Sequence, residues 1–97
     1  MKSLPANAVA YKRTAEFMCS SVPSGLLRSH RTKDGTWAKI VVIEGALTYR
    51  ILEPALEEVV LTPERHGVVE PMIRHEVVPG PGVRFYVEFY EVDRVPK

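Results

Sequence analysis

The sequence predicts an all-β fold, a small antiparallel β-sandwich or barrel. Fourteen valines, four isoleucines and five threonines supply β-branched side chains, which favour strands. Eight prolines leave few windows long enough for a helix. Short apolar runs separated by glycine or proline recur along the whole chain. About seven or eight short strands at this spacing are typical of a sandwich or a small barrel.

The clearest strand signal is a pair of apolar runs at 37–43 and 46–52, separated by Glu44 and Gly45. Tight hairpin turns favour glycine, so we expect these runs to pair as a β-hairpin. The run at 25–32 leads into a Lys-Asp-Gly-Thr turn at 33–36 and is expected to form a strand as well. The sequence therefore predicts a three-stranded meander over 25–52.

Further strands are predicted in the second half of the chain. Pro54 is acceptable at the start of a helix, but the segment after it is short and β-branched, which favours a strand over 58–61. Strands at 68–70 and 75–78 follow, and a Pro-Gly-Pro-Gly turn at 79–82 precedes the last one at 83–92. Apolar and polar residues alternate along this last strand, which gives the sheet two different faces.

Length and composition indicate one domain, residues 1–97, in which 1–22 form an arm packed on the barrel. The net charge of +1 argues against a nucleic-acid-binding protein. No apolar run is long enough to cross a membrane, and the single cysteine, Cys19, cannot form an internal disulfide. We therefore expect a cytoplasmic protein. A homodimer would suit so small a core, because a shared sheet would cover an edge strand.

Candidate metal ligands come from a short list, since the chain has only three histidines. His30, His75 and Glu88 lie on three predicted strands. If those strands line one barrel, the three side chains form a site for a divalent ion such as zinc, iron, manganese or nickel. The alternative is structural: the two histidines are hydrogen-bonded within the sheet, and Glu88 pairs with Arg84 or Arg50 across it.

Candidate ligand-binding residues are the two arginines Arg28 and Arg84 and the aromatic residues Trp37 and Tyr86. Arginine binds anions through paired hydrogen bonds, and a tryptophan at the entry to a strand can form the wall of a pocket. The alternatives are surface ion pairs for the arginines and core packing for Trp37.

The chain resembles the cupin-like family named after tellurite-resistance protein B. The likeness rests on GLLRSH at 25–30, Trp37, EGALTY at 44–49, GVVEP at 67–71, His75 and VRFYVEFY at 83–90. It implies a small cupin-type β-sandwich, a module found alone or ahead of a methyltransferase domain. Family members keep a histidine at the positions of His30 and His75 and an acid at Glu88, which are the same three candidates.

Three functions follow from the residues and the resemblance. The first is a domain that binds a divalent metal through His30, His75 and Glu88 and holds a small molecule or oxyanion, such as tellurite, in the barrel mouth. The second is a metal-dependent enzyme of the non-haem oxygenase type. The third is a metal-free interaction module that acts with a separate methyltransferase. Whether Glu70 or Cys19 contributes to a site stays open.

Overall fold

The computed structural model describes residues 1–27 and 31–92 and confirms the all-β prediction. The strands are β1 (Ala8–Arg13), β2 (Phe17–Met18), β3 (Thr36–Glu44), β4 (Leu47–Ile51), β5 (Glu57–Leu61), β6 (Gly67–Val69), β7 (His75–Pro79) and β8 (Arg84–Val92). They form two antiparallel sheets. The larger has the order β1-β8-β3-β6, with β2 also paired to β8, and the smaller has the order β5-β4-β7.

The core lies between the inner faces of the two sheets. Alternate residues of β3 are buried, including Ala38 and Ile40, and alternate residues of β4 are buried, including Leu47 and Tyr49. Since side chains alternate between the faces of a strand, each sheet turns one apolar face to the other and a more polar face outward. Burial of these apolar faces is the main force that holds the sandwich together.

The predicted hairpin between 37–43 and 46–52 is wrong, because β3 and β4 belong to different sheets. β3 pairs with β6 and β8, whereas β4 pairs with β5 and β7. Gly45 takes a φ of 79° where the chain crosses from one sheet to the other. A Cβ on Gly45 would also lie 3.0 Å from the Cα of Val83. Glycine thus marks a corner between sheets here, and not a turn within one sheet.

The predicted strand at 25–32, and with it the meander, is also wrong over its described part. Ser24–Leu27 form one turn of 3₁₀ helix, and the amide of Leu26 donates to the backbone oxygen of Pro23 at 3.0 Å. Leu26 packs on the core while Leu27 is exposed, so this segment covers the sandwich instead of extending a sheet. No helix in the described part of the chain is long and apolar enough to cross a membrane.

Residues 1–22, predicted as an arm on the barrel, contain two strands. Both β1 and β2 pair with β8, so this segment widens the larger sheet at one edge. The ring of Phe17, on β2, packs edge to face on Phe85 with 5.6 Å between the ring centres. The segment thereby covers one end of the core.

Candidate functional site

A cavity of about 240 Å³ opens between the two sheets, beside the segment that carries β2 and the 3₁₀ helix. Its walls come from β3, β6, β7 and β8, together with residues from 14–26 and Thr32. Protein interiors are normally packed with few voids larger than a water molecule. A space of this size is therefore a candidate binding site in so small a domain.

The lining of the cavity is mostly apolar, with three aromatic rings. The apolar residues are Phe17, Pro23, Gly25, Leu26, Ala38, Ile40, Val69, Val77, Phe85, Val87 and Phe89. Small-molecule sites are typically lined in this way, with a few polar groups that orient the ligand. Phe17 comes from the predicted arm and Leu26 from the predicted strand at 25–32, and Pro23 lies between the two segments. The sequence offered little sign of the role of Phe17, since residues 1–22 are less patterned than the rest of the chain.

Three polar side chains, Thr14, Thr32 and His75, complete the described lining. The Thr32 hydroxyl donates to the backbone oxygen of Thr36 at 2.8 Å. The Thr14 hydroxyl donates to the backbone oxygen of Ala15 at 2.8 Å and accepts from the amide of Val87 at 3.0 Å. Both hydroxyl protons are therefore used within the protein, and the walls are less polar than the residue types imply.

His75 opens β7 and is 3 % exposed, with its side chain on the inner face of the smaller sheet. Its Nδ1 lies 3.1 Å from the backbone oxygen of Ile73. A carbonyl oxygen can only accept, so this contact is a hydrogen bond when Nδ1 carries the proton. The Tyr49 ring packs edge to face against the imidazole, with 5.9 Å between the ring centres. His75 is thus a fixed, buried imidazole on the cavity wall.

Glu88 is not brought to His75, which corrects the predicted set of metal ligands. The neighbours of Glu88 on β8, Val87 and Phe89, line the cavity, so alternation sends the Glu88 side chain to the outer face of the larger sheet. There the Tyr90 hydroxyl donates to its Oε1 at 2.5 Å. This hydrogen bond, with further help from Arg13 and Lys39, lowers the pKa of the Glu88 carboxyl. Glu88 therefore belongs to a surface network, but its ion-pair partners are Arg13 and Lys39. The two predicted arginines pair elsewhere, Arg84 with Glu16 and Arg50 with Glu58 and Glu76.

His30, the remaining proposed metal ligand, lies outside the described residues. Within residues 1–27 and 31–92, no three histidine, cysteine, aspartate or glutamate side chains are grouped so that they could hold a metal ion. Glu70 and Cys19 are not among the lining residues of the cavity, and Cys19 is exposed. The described residues therefore offer His75 alone at this cavity, which does not fit a complete metal centre.

The predicted ligand-binding residues that the structure describes lie on the outer face of the larger sheet. Trp37 and Tyr86 alternate with buried residues of β3 and β8. The guanidinium of Arg13 lies 4.4 Å from the centre of the Tyr86 ring. Arg84 is half-exposed, with its Nε 3.8 Å from Glu16. These three residues therefore cannot line the cavity, and Arg28 lies outside the described residues.

A comparison with protein families identifies the chain. The model of the TehB-like domain matches residues 12–87, a range that runs from β1 into β8 and includes His75. The chain belongs to the TehB-like family. The resemblance seen in the sequence is thereby confirmed.

The TehB-like domain is similar to part of two curated proteins from Haemophilus influenzae. Both are named "Probable S-adenosyl-L-methionine-dependent methyltransferase TehB". The protein of strain KW20 / Rd is 34 % identical over 73 residues, which cover 71 % of this chain and 26 % of the relative. The protein of strain 10810 is 33 % identical over 73 residues, with the same coverage. The chain thus spans about a quarter of the length of these relatives.

Solved structures support the same fold. The crystal structure of TehB from Haemophilus influenzae superposes with a TM-score of 0.83 at 28 % identity, covering 90 % of this chain and 32 % of that one. A crystal structure of a protein from Escherichia coli K12 superposes with a TM-score of 0.86. It is 17 % identical and covers 97 % of this chain and all of that one, so it bears on the fold alone.

Proposed function

We propose that this TehB-like domain binds a small, mostly apolar molecule in the cavity between its two sheets. The observation that carries the proposal is the cavity itself, about 240 Å³ with an almost entirely apolar lining. An apolar cavity of about 150 Å³ is enough to hold benzene. The space in this domain therefore suits a ring with a short chain, or an aliphatic molecule of similar size.

The polar groups of the walls support the same class of ligand. The hydroxyls of Thr14 and Thr32 donate to backbone oxygens, and the Nδ1 of His75 lies next to the backbone oxygen of Ile73. No lysine, arginine or carboxylate belongs to the described lining of the cavity. A bare oxyanion such as tellurite would lose its hydration there without gaining a counter-charge from the described walls, which is costly. An uncharged body avoids that cost.

The names of the curated relatives connect this binding function with methyl transfer. We propose that the domain holds a small molecule for a methyltransferase of the TehB kind, and does not itself hold S-adenosylmethionine. Titration with S-adenosylmethionine, followed by amide NMR, is expected to leave the cavity resonances unchanged. Shifts confined to the amides of β7 and β8 around the cavity would instead make this space the methyl-donor site.

The test of the cavity uses 3-phenyl-1-propanol as the probe, titrated into ¹⁵N-labelled protein. We expect amide shifts around the cavity on β3, β7 and β8. Ala38→Leu places three more carbons in the cavity, since Ala38 is 2 % exposed and lines it, and should weaken binding about tenfold or more. Ala10→Leu makes the same change at an exposed position of β1 and should leave binding unchanged.

A second, milder variant guards against loss of the fold. Val87→Ile adds one methylene to the cavity wall and should weaken binding of the probe by a smaller factor than Ala38→Leu does. The amide spectrum of each variant must remain dispersed for its affinity to count. Equal affinity of the wild type, Ala38→Leu and Val87→Ile would contradict the proposal, as would shifts confined to the outer faces of the sheets.

A further inference from the structure

A second recess, of about 300 Å³, adjoins the cavity and has a very different lining. We call it the basic cleft and define it by its three cations, Lys12, Arg31 and Lys33. Thr32 and Phe89 line both the basic cleft and the apolar cavity. The two spaces therefore share a wall, with apolar surface on one side and positive charge on the other.

Strand register explains why Lys12 reaches this position. Lys12 of β1 lies directly opposite Phe89 of β8, and Phe89 lies opposite Ala38 of β3. Residues opposite each other in antiparallel strands project to the same face, so the three form one row on the inner face of the larger sheet. Ala38 and Phe89 line the cavity, and Lys12 continues the row at the exposed edge. The row thus runs from apolar to cationic.

The other two cations are held by a loop with a buried anchor. Thr32, between Arg31 and Lys33, is 7 % exposed, and its hydroxyl donates to the backbone oxygen of Thr36. The amide of Thr36 in turn donates to the backbone oxygen of Lys33 at 3.1 Å. These hydrogen bonds fix the loop against the start of β3. Arg31 and Lys33 therefore flank the wall that the cleft shares with the cavity.

The three cations also differ from most of the other basic side chains that the structure describes. Lys2, Arg13, Lys39, Arg50 and Arg84 each form an ion pair with a glutamate. Within residues 1–27 and 31–92, Lys12, Arg31 and Lys33 form none, and no carboxylate is among the described lining residues of the cleft. Cations gathered without a carboxylate create a local positive potential, which attracts anions.

We propose that the natural ligand is a small organic anion, with its apolar body in the cavity and its anionic group in the basic cleft. This inference rests on the proposed function, because it takes the cavity as the site of the apolar body. Lys12, Arg31 and Lys33 hold the anionic group, a carboxylate or a phosphate, through charge-assisted hydrogen bonds. The anionic group stays in the wetter cleft, so no charge has to enter the apolar cavity.

The experiment compares two probes with the same ring and chain, 3-phenylpropionate and 3-phenyl-1-propanol, by calorimetry and amide NMR at constant salt. The acid should bind about tenfold more tightly than the alcohol, as expected for one charge-assisted contact. The double variant Lys12→Gln/Arg31→Gln should remove this preference and leave the affinity of the alcohol unchanged. The control Lys2→Gln/Arg65→Gln removes one lysine and one arginine elsewhere and should keep the preference. Inorganic phosphate is the probe for an anion that has no apolar part. It should bind more weakly than 3-phenylpropionate.

The outcomes separate this inference from the proposed function. Equal binding of the acid and the alcohol, both blocked by Ala38→Leu, would overturn the basic cleft and leave the cavity intact. If both double variants lose the preference for the acid over the alcohol, that preference comes from the net charge of the protein and not from the basic cleft. This result would also overturn the inference. If 3-phenylpropionate binds Ala38→Leu as tightly as the wild type, its apolar body does not occupy the cavity. That result would overturn the inference. Binding of neither probe to the wild type would overturn the proposed function itself.

Discussion

The Tyr49 hydroxyl donates a hydrogen bond to the backbone oxygen of Val68 at 3.1 Å and so links the two sheets. Tyr49 belongs to β4 of the smaller sheet, and Val68 belongs to β6 of the larger one. The tyrosine is 1 % exposed, and burial raises the pKa of its phenol far above the usual value. The hydroxyl therefore keeps its proton and remains a donor throughout the neutral pH range.

Loss of this link is the first prediction. Tyr49→Phe keeps the ring and removes the donor, so a buried hydrogen bond is lost and the Val68 carbonyl loses a partner. We expect a loss of about 1 to 3 kcal/mol in the free energy of unfolding. Urea denaturation followed by tryptophan fluorescence measures it. Tyr11→Phe, at a position 46 % exposed, is the control and should change stability by less than about 0.5 kcal/mol. Equal stability of the two variants would show that the hydrogen bond from Tyr49 to Val68 does not stabilise the fold.

The second prediction concerns Gly80, which follows β7. A Cβ at this position would lie 2.6 Å from the backbone oxygen of Ala46, and the Gly80 amide already donates to that oxygen at 3.0 Å. Since backbone atoms cannot move aside as a side chain can, Gly80→Ala should destabilise the protein by about 1 to 3 kcal/mol.

The matched control for Gly80 is Gly25→Ala, where a Cβ would meet nothing within 4 Å. It should change stability by less than about 0.5 kcal/mol in the same urea experiment. A cost at Gly25 as large as that at Gly80 would show that the close approach to Ala46 is not the cause.

Strand positions were largely predictable from the sequence, but the pairing of strands was not. The apolar runs at 37–43 and 46–52 predict two strands, and β3 and β4 lie there. The same runs result whether a chain folds back within a sheet or crosses to another one, so Glu44 and Gly45 could not distinguish a hairpin from a corner. The difference lies in long-range contacts, such as the approach of Gly45 to Val83.

The candidate site was predictable only in part, for a related reason. His75 lies on the wall of the cavity, where the sequence predicts a site residue. Glu88 was misplaced although the pattern contained the answer: if Val87 and Phe89 face inward, Glu88 faces outward. The basic cleft could not be foreseen, because Lys12 meets the loop that carries Arg31 and Lys33 only through the pairing of β1 with β8.

The third prediction follows from the outward position of Glu88. If the domain takes up a divalent metal at His75, Glu88→Gln should not alter the amount bound, because the larger sheet separates the two side chains. Elemental analysis of purified wild type and variant, each incubated with zinc and then dialysed, tests this expectation. His75→Ala is the comparison that should lower any bound zinc. A loss of zinc in Glu88→Gln equal to that in His75→Ala would contradict the opposite-face geometry.

The fourth prediction concerns the pH dependence of stability. The hydrogen bond from Tyr90, then the hydrogen bond from Arg13 and the charge of Lys39, lower the pKa of Glu88 in the folded protein. A carboxyl with a lowered folded pKa stabilises the protein above its unfolded pKa, about 4.3 for glutamate. That contribution is lost as the pH falls through the folded pKa. Wild type should therefore be more stable than Glu88→Gln near neutral pH, with a difference that narrows in acid.

Two measurements check this pH dependence and its cause. Urea denaturation of wild type and Glu88→Gln from about pH 7 down to about pH 3 gives the difference in free energy of unfolding across the titration of a glutamate. NMR titration of the Glu88 carboxyl gives its pKa directly, and Tyr90→Phe should raise that pKa because it removes the largest stabilising contact of the carboxylate. If the difference in stability does not change with pH, or if the pKa is the same in Tyr90→Phe, the Tyr90 hydroxyl does not hold the charge of Glu88.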